Sequence, residues 1–460
     1  MEKFDVNEYR KKLKKHDLAL VGTPAKGSLI YMPNGVKIRE NLYGVAIRFL
    51  KQMGFKQIIL SDFIDAKSLE KIDSVSKLSH NYFHIEGTDL RMTAGHEISC
   101  YSLIREQLKD YSKEFKFPIK YFHFGAVYRA PKNTRFPFNY GERKSFLECY
   151  SIFKTRQEAY DALDEGVVWN RKIVKDILHL PGVEVERPRA TNKRISHKSV
   201  HIDTITPLGE TIITGMTYFH DDVFTKALNV KRHNNSDGKN YLVYSTHFGL
   251  SENVLHSYLI NCYDGKGFKF HSFLAPTQIS VIDTTNGLLS ELSEYQKIYE
   301  LLNEQGYDFE KIETSTKKVS KNVKNSLESG TPIVLILKKV EKSLKIVLVS
   351  CGAEVDTTLY ELQEQIEKAF EENDRLVTER LEKKEADSII ACNTIEDIVQ
   401  NVKDCKVAKF YCEKLDERAI EVEQYLQGGE VLGFQTSKDE GFDVITGERT
   451  HYIAFASRRS

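Results

Sequence analysis

The stretch YFHFGAVYRAPKNTRFPFNYGERKSFLECYSIF, residues 121–153, constrains this chain more than any other. Its ends alternate apolar and polar residues as half-buried strands do, and its middle is rich in Arg, Lys, Asn, Pro and Gly. The pattern predicts a strand, a long basic loop and an antiparallel return strand. Four cations cluster there: Arg129, Lys132, Arg135 and Arg143. A guanidinium fixed at a strand end is a permanent bidentate donor suited to phosphate or carboxylate. Two readings follow from the residues alone, a solvated basic hairpin or an anion site.

At 460 residues with 41% apolar side chains, the chain has the material for two to four ordinary domains. Lys+Arg and Asp+Glu are both 66, so any attraction for a nucleic acid has to come from a local patch. Seven cysteines are scattered without a CxxC pair and no signal peptide precedes them, from which we expect reduced thiols in a cytoplasmic protein. No apolar run approaches the ~20 residues of a membrane span, so no membrane partner is expected.

In chain order, residues 1–18 read as a charged helix and Gly27–Gly35 as a strand and turn. Val36–Met53 reads as an amphipathic helix stopped by Gly54, and Phe55–Leu60 as a strand. A helix is expected from about Thr93, as N-cap, to Lys113. Lys154–Leu178 has helical order around Trp169, and Arg187–Lys198 is a strongly basic loop. After Pro276 the pattern alternates strands and helices to about Val349, an α/β unit, and a charged helix follows over 355–385.

The hairpin resembles motif 2 of the class II aminoacyl-tRNA synthetases, in which two Arg residues surround the ATP phosphates. Arg129 and Arg143 stand at those places, while the family's Arg-x-Glu reads Arg129-Ala130-Pro131. The PNGVKIRENL segment from Pro33 resembles motif 1, which implies a homodimer. Leu90–Glu97 is similar to the Leu-Arg-Pro-Thr-Ser-Glu of archaeal and eukaryotic prolyl-tRNA synthetases, whose Thr and Glu hold the amino acid. Thr93 matches, and the Glu position is Gly95 unless Glu97 comes into register. Thr214–Leu228 keeps the prolyl frame through Gly215, Phe224, Lys226 and Ala227. Tyr218 and Phe219 replace its paired histidines, and Asp221-Asp222-Val223 its Gly-x-Asn. Motif 3 is placed at 243–258, with Asn253 where the family has an adenine-stacking Arg.

By this resemblance the fold is α/β: a class II antiparallel-sheet catalytic domain over 1–270, an α/β anticodon-binding-like domain over 271–354, and a linker helix with a small α/β C-terminal appendage over 355–460. The cofactors implied are ATP and Mg²⁺. The residues implied for catalysis and ATP are Arg129, Arg143 and Asn253; those implied for the substrate are Thr93, Glu97, Glu148, Phe219, Asp221 and Asp222. No metal ligands are expected, because only Cys412 matches a zinc position of the family's appendage. The activity implied is formation of an aminoacyl-adenylate and transfer to tRNA or another acceptor. The alternative is a non-catalytic, dimeric paralogue that binds RNA or regulates, favoured by the changes at motifs 2 and 3. A third option is an ATP-dependent amide or ester ligase.

Overall fold

The computed structural model of the chain describes residues 4–24, 28–76, 82–110, 115–130, 141–188, 195–284, 293–341 and 343–459. Lys132, Arg135 and most of the basic run after Arg187 lie outside them. The chain forms two compact units: Met1–Val21, Ile30–Val45 and Leu259–Lys383 make one, and Gly22–Leu29, Ala46–Tyr258 and Lys384–Ser460 the other. This differs from the expected three-part division. The 384–460 segment belongs with the larger, second unit, and the helix begun at Leu362 packs in the first.

The larger unit is built on an eleven-stranded sheet. In chain order its strands are β1 (Lys56–Ile58), β2 (Ile119–Tyr128), β3 (Glu142–Phe153), β4 (Gly182–Glu186), β5 (Lys198–Ile205), β6 (Glu210–Asp221), β7 (Tyr244–Leu250), β8 (Ile389–Ala391), β9 (Val407–Tyr411), β10 (Gly429–Phe442) and β11 (Arg449–Arg459). Across the sheet the order is β8-β9-β11-β10-β4-β5-β6-β7-β3-β2-β1. The run from β4 to β2 is antiparallel throughout. The predicted hairpin is therefore β2 and β3, and β3 lies inside the sheet, which is why Ser145–Phe153 is buried on both faces. The appendage adds no separate sheet. β10 pairs with β4 through Phe434 and Glu186, and β11 lies parallel to β6 at Glu210 and Thr211.

One face of the sheet is covered by the helix Arg156–Arg171. Thr155 and Glu158 start it with a reciprocal capping box, and Trp169 packs on Phe248 with ring centres 5.3 Å apart. Gly166 is required there, since a Cβ would lie 2.8 Å from the Phe248 ring. The other face carries a core of Ile98, Tyr101, Ile104, Tyr150, Phe224 and their neighbours, under the helix Glu97–Leu108. That helix ends five residues before the expected Lys113. Its N-cap position is His96 rather than Thr93.

The smaller unit holds a five-stranded sheet in the order Phe309–Glu313, Ile279–Asp283, Ile333–Val340, Ser343–Ser350, Ala353–Thr357. Ile279, Val281, Leu335 and Leu337 alternate onto one face against Tyr295, Ile298, Leu362 and Ile366. Ile282, Val334 and Ile336 take the other face, against Val319 and Val323.

Candidate active site

Strand register puts two rows of side chains on the face of the sheet away from Trp169. One row runs Tyr121, Tyr150, His247, Tyr218, Ser199; the next runs His123, Glu148, Gly249, Met216, His201. Directly opposed residues share a face, so these rows form a polar floor. Gly249 leaves a gap between Glu148 and Met216, and a Cβ there would strike the Leu147 carbonyl oxygen.

Glu148 is 1% exposed and fully engaged. Its Oε2 is 2.7 Å from His96 Nδ1, and its Oε1 accepts from the His96 backbone N–H at 3.2 Å. His96 is itself wholly buried, with Nε2 3.5 Å from Asp62 Oδ1 and its ring 4.1 Å from that of His123. Burial would neutralise both members of this pair. The hydrogen bond and mutual charge win, holding the His96 pKa above and the Glu148 pKa below their ordinary values.

Glu97 behaves differently. Its carboxylate folds back over Gly95, and a Cβ at position 95 would lie 2.5 Å from Glu97 Oε2. It forms no ion pair with any described residue; burial and the Glu148 charge raise its pKa, opposed by His247, by a hydrogen bond from its own backbone N–H and by Arg129. The space that a side chain at 95 would fill is thus taken by the carboxylate of residue 97. Thr93, fully buried, donates its hydroxyl to the Gly95 carbonyl oxygen.

Arg129 and Arg143 are neighbours. Arg129 lies over the Phe146 ring at 5.3 Å and donates through Nε to the Ala94 carbonyl at 3.0 Å. Arg143 Nε is buried without a hydrogen-bond partner. Burial, and then the Arg129 charge, push its pKa down to about 9, with Glu252 opposing. Among the described residues neither guanidinium has a carboxylate at ion-pair distance.

The remaining expected site residues lie elsewhere. Phe219 faces the opposite side of the sheet, packed with Phe153, Ala159 and Leu163. Asp221, in a left-handed turn with φ +58°, accepts from Arg156 Nε at 2.8 Å. Asp222 precedes the short helix Val223–Ala227 without capping it through its side chain. Asn253 donates to the Ile213 carbonyl at 3.0 Å, so its amide is turned onto β6. Tyr218, in contrast, is on the floor, as are His247 and His201. Period-two alternation through Met216, Tyr218 and His220 was the signal that separates Tyr218 from Phe219.

Among the described residues there is no group of three or more His, Cys, Asp or Glu side chains placed to hold a metal ion. No described helix is long and apolar enough to cross a membrane.

No family model matches the chain. It is similar to a proline–tRNA ligase of Pyrobaculum islandicum, 21% identical over 449 residues, covering 94% of this chain and 91% of that protein. To one of Metallosphaera sedula it is 27% identical over 243 residues, half of this chain and 49% of the other. Among solved structures it resembles Giardia lamblia prolyl-tRNA synthetase in complex with prolyl-adenylate, with a TM-score of 0.87, 15% identity and coverage of 99% and 98%. The Cryptosporidium parvum prolyl-tRNA synthetase complexed with halofuginone and AMPPNP gives 0.84, 16%, 98% and 94%.

Proposed function

For this prolyl-tRNA-synthetase-like chain, with the synthetase fold along its whole length, we propose that the floor activates an amino acid with ATP and that the aminoacyl group passes to tRNA. The observation that carries this reading is the adjacent guanidiniums of Arg129 and Arg143, and the nearby carboxylate of Glu97, none of which has an ion-pair partner among the described residues. Unpaired cations and an unpaired anion in a half-dry site are costly unless ligands complete them. A polyphosphate and an ammonium do so.

In this reading Glu97 receives the amino group, and Arg129 and Arg143 neutralise the phosphates. The substrate carboxylate oxygen attacks the α-phosphorus, the bond to the β-phosphate oxygen breaks, and pyrophosphate leaves. A hydroxyl of the acceptor then attacks the aminoacyl carbonyl and AMP departs. Mg²⁺ usually enters such sites on the phosphates with one or two carboxylates. Of the acids near Arg143, Glu142 is paired with Lys144, while Glu252 accepts from the Lys144 backbone N–H at 3.2 Å and lies 3.9 Å from His256 Nε2. Glu252 is the residue that would hold the ion, whose chemistry is neutralisation of phosphate charge.

A homodimer through the motif 1 region belongs to the same proposal. Ile59 is 89% and Phe63 50% exposed beside edge strand β1, apolar surface of the kind that a partner covers. A single monomeric species in sedimentation at micromolar concentration would remove this part.

Asn253 favours a second reading, a non-catalytic paralogue, since its amide is committed to Ile213 and offers no cation to ATP. Amino-acid-dependent exchange of pyrophosphate into ATP, run with every amino acid, separates the two. Exchange with at least one supports activation; its absence, with no ATP binding by calorimetry, supports the paralogue.

A further inference from the structure

We propose that the amino acid taken by this floor carries an uncharged, hydrogen-bonding side chain, and that the Tyr218 hydroxyl reads it. The inference rests on the adenylating reading above and specifies the substrate.

Charge sets the first limit. The α-ammonium needs one free carboxylate, and Glu97 is that one. Glu148 is closed to a second cation because His96 holds both of its oxygens, at 2.7 and 3.2 Å. A lysine or arginine side chain would then find no free carboxylate within the floor, since Asp62 lies at its exposed margin against His96 Nε2 at 3.5 Å, and a desolvated unpaired charge costs several kcal/mol. An acidic side chain would lie against Glu97 and Glu148, with like-charge repulsion in the same dry place.

Polarity sets the second limit. Tyr218 is half-buried and its hydroxyl makes no hydrogen bond with any described residue, although the charges of Arg129 and Glu97 both act on it. Next in its row His247 is 3% exposed with both ring nitrogens unpartnered. His247 stacks at 4.7 Å on Tyr150, whose hydroxyl is buried and equally unpartnered. Buried polar groups left unmade cost about 1–3 kcal/mol each, and natural proteins keep few of them without a reason. A hydrocarbon side chain, the ring of proline included, would cover the half-exposed Tyr218 hydroxyl without bonding it and leave the His247 nitrogens and the Tyr150 hydroxyl unmade. A hydroxyl or amide supplies Tyr218 directly and the deeper atoms through a water that it orders. Sites built to bond a polar substituent discriminate strongly against analogues that lack it.

The test uses non-hydrolysable aminoacyl-sulfamoyl adenosines of proline, alanine, serine, threonine, asparagine, glutamine, aspartate and lysine, titrated by calorimetry into the full chain and into Tyr218→Phe. Pyrophosphate exchange with the same free amino acids runs beside it. We expect one of the four hydroxyl or amide compounds to bind at least tenfold more tightly than the prolyl and alanyl ones. Tyr218→Phe should erase that margin about ten- to a hundredfold and leave the prolyl and alanyl affinities unchanged. A prolyl, lysyl or aspartyl compound binding best overturns the inference, as does a margin that survives in Tyr218→Phe. If the margin is present but no amino acid supports exchange, the side-chain preference stands as a binding property of the floor and the adenylating activity falls. If no compound binds, both fall.

Discussion

Tyr218 and Phe219 are neighbours in the chain and lie on opposite faces of one sheet, and the two faces treat polar groups in opposite ways. Under the helix Arg156–Arg171 most of the polar side chains that pack are neutral, the Lys120–Glu165 pair apart, and several answer to nearby groups, although Trp169 Nε1, Asn170 Oδ1 and Ser151 Oγ lack partners. Asn170 donates to the Met216 carbonyl and the Thr217 hydroxyl, both at 3.0 Å, and Thr246 donates to the Ala159 carbonyl. On the floor the polar groups are charged or titratable, and several lack partners. The first face is held mainly by apolar packing, around Trp169, Phe248 and Phe219. The second gathers the charged groups Glu97, Glu148, Arg129 and Arg143, and that concentration of charge is what the proposed site rests on.

The largest expected effect tests the packed side. Phe219→Ala should cost about 3–5 kcal/mol in denaturant unfolding, as truncation of a buried aromatic does. Tyr218→Phe should stay within about 0.5 kcal/mol of the parent. A loss above 2 kcal/mol in Tyr218→Phe would make the floor structural and break the comparison.

The next effect is on nucleotide affinity. Arg129→Ala removes a charge-assisted contact of roughly 1.5–3 kcal/mol, about ten- to a hundredfold in ATP affinity by calorimetry. Arg143→Met should weaken ATP similarly while raising stability by about 1 kcal/mol, because it removes an uncompensated cation. Tight ATP binding that ignores both substitutions contradicts the placement of the phosphates.

A pH effect sharpens the contrast further. The folded-state pKa of His96 is raised, so its contribution to stability is complete below the ordinary imidazole value of about 6.5 and is lost as pH rises through the higher folded value. Melting temperature should therefore fall from pH 6.5 upward, and His96→Gln should flatten that slope. An identical slope in the variant would mean that the Glu148 contact does not hold the proton.

The smallest expected change is from Gly95→Ala. The new methyl meets Glu97 Oε2, the end of a flexible side chain, so stability should move by under about 1 kcal/mol. The amino-acid KM should rise several-fold while the ATP KM stays constant. Equal shifts in both would detach Glu97 from the amino group.

Much of this was legible in the sequence. The hairpin of β2 and β3 followed from alternation around a basic loop, and Pro33–Gln52 ended as Gly54 required, with φ +83°. The strand at Phe55–Leu60 shortened to Lys56–Ile58. Thr93, Glu97, Glu148, Arg129 and Arg143 come together, although only the structure shows that Glu148 is held by His96 while Glu97 has no ion-pair partner among the described residues. What sequence could not give was long-range pairing. Nothing local in Asp221 announces Arg156 as its partner, and nothing in Asn253 announces the Ile213 carbonyl. For the same reason the 384–460 segment reads as an appendage, whereas its strands continue the eleven-stranded sheet.

That continuation has a consequence in time. The exposed edge of β4 is closed by β10, where Gln435 bonds the Glu184 carbonyl 251 residues away in sequence. During synthesis, at ≈ 5–20 residues per second, β4 emerges well before the strand that covers it and waits as an open edge, the kind of template on which other chains pair. Substitutions that slow the arrival or docking of 429–459 should therefore lower soluble yield out of proportion to their effect on the finished fold. Comparing expression yield with unfolding free energy across a series in β10 would show it.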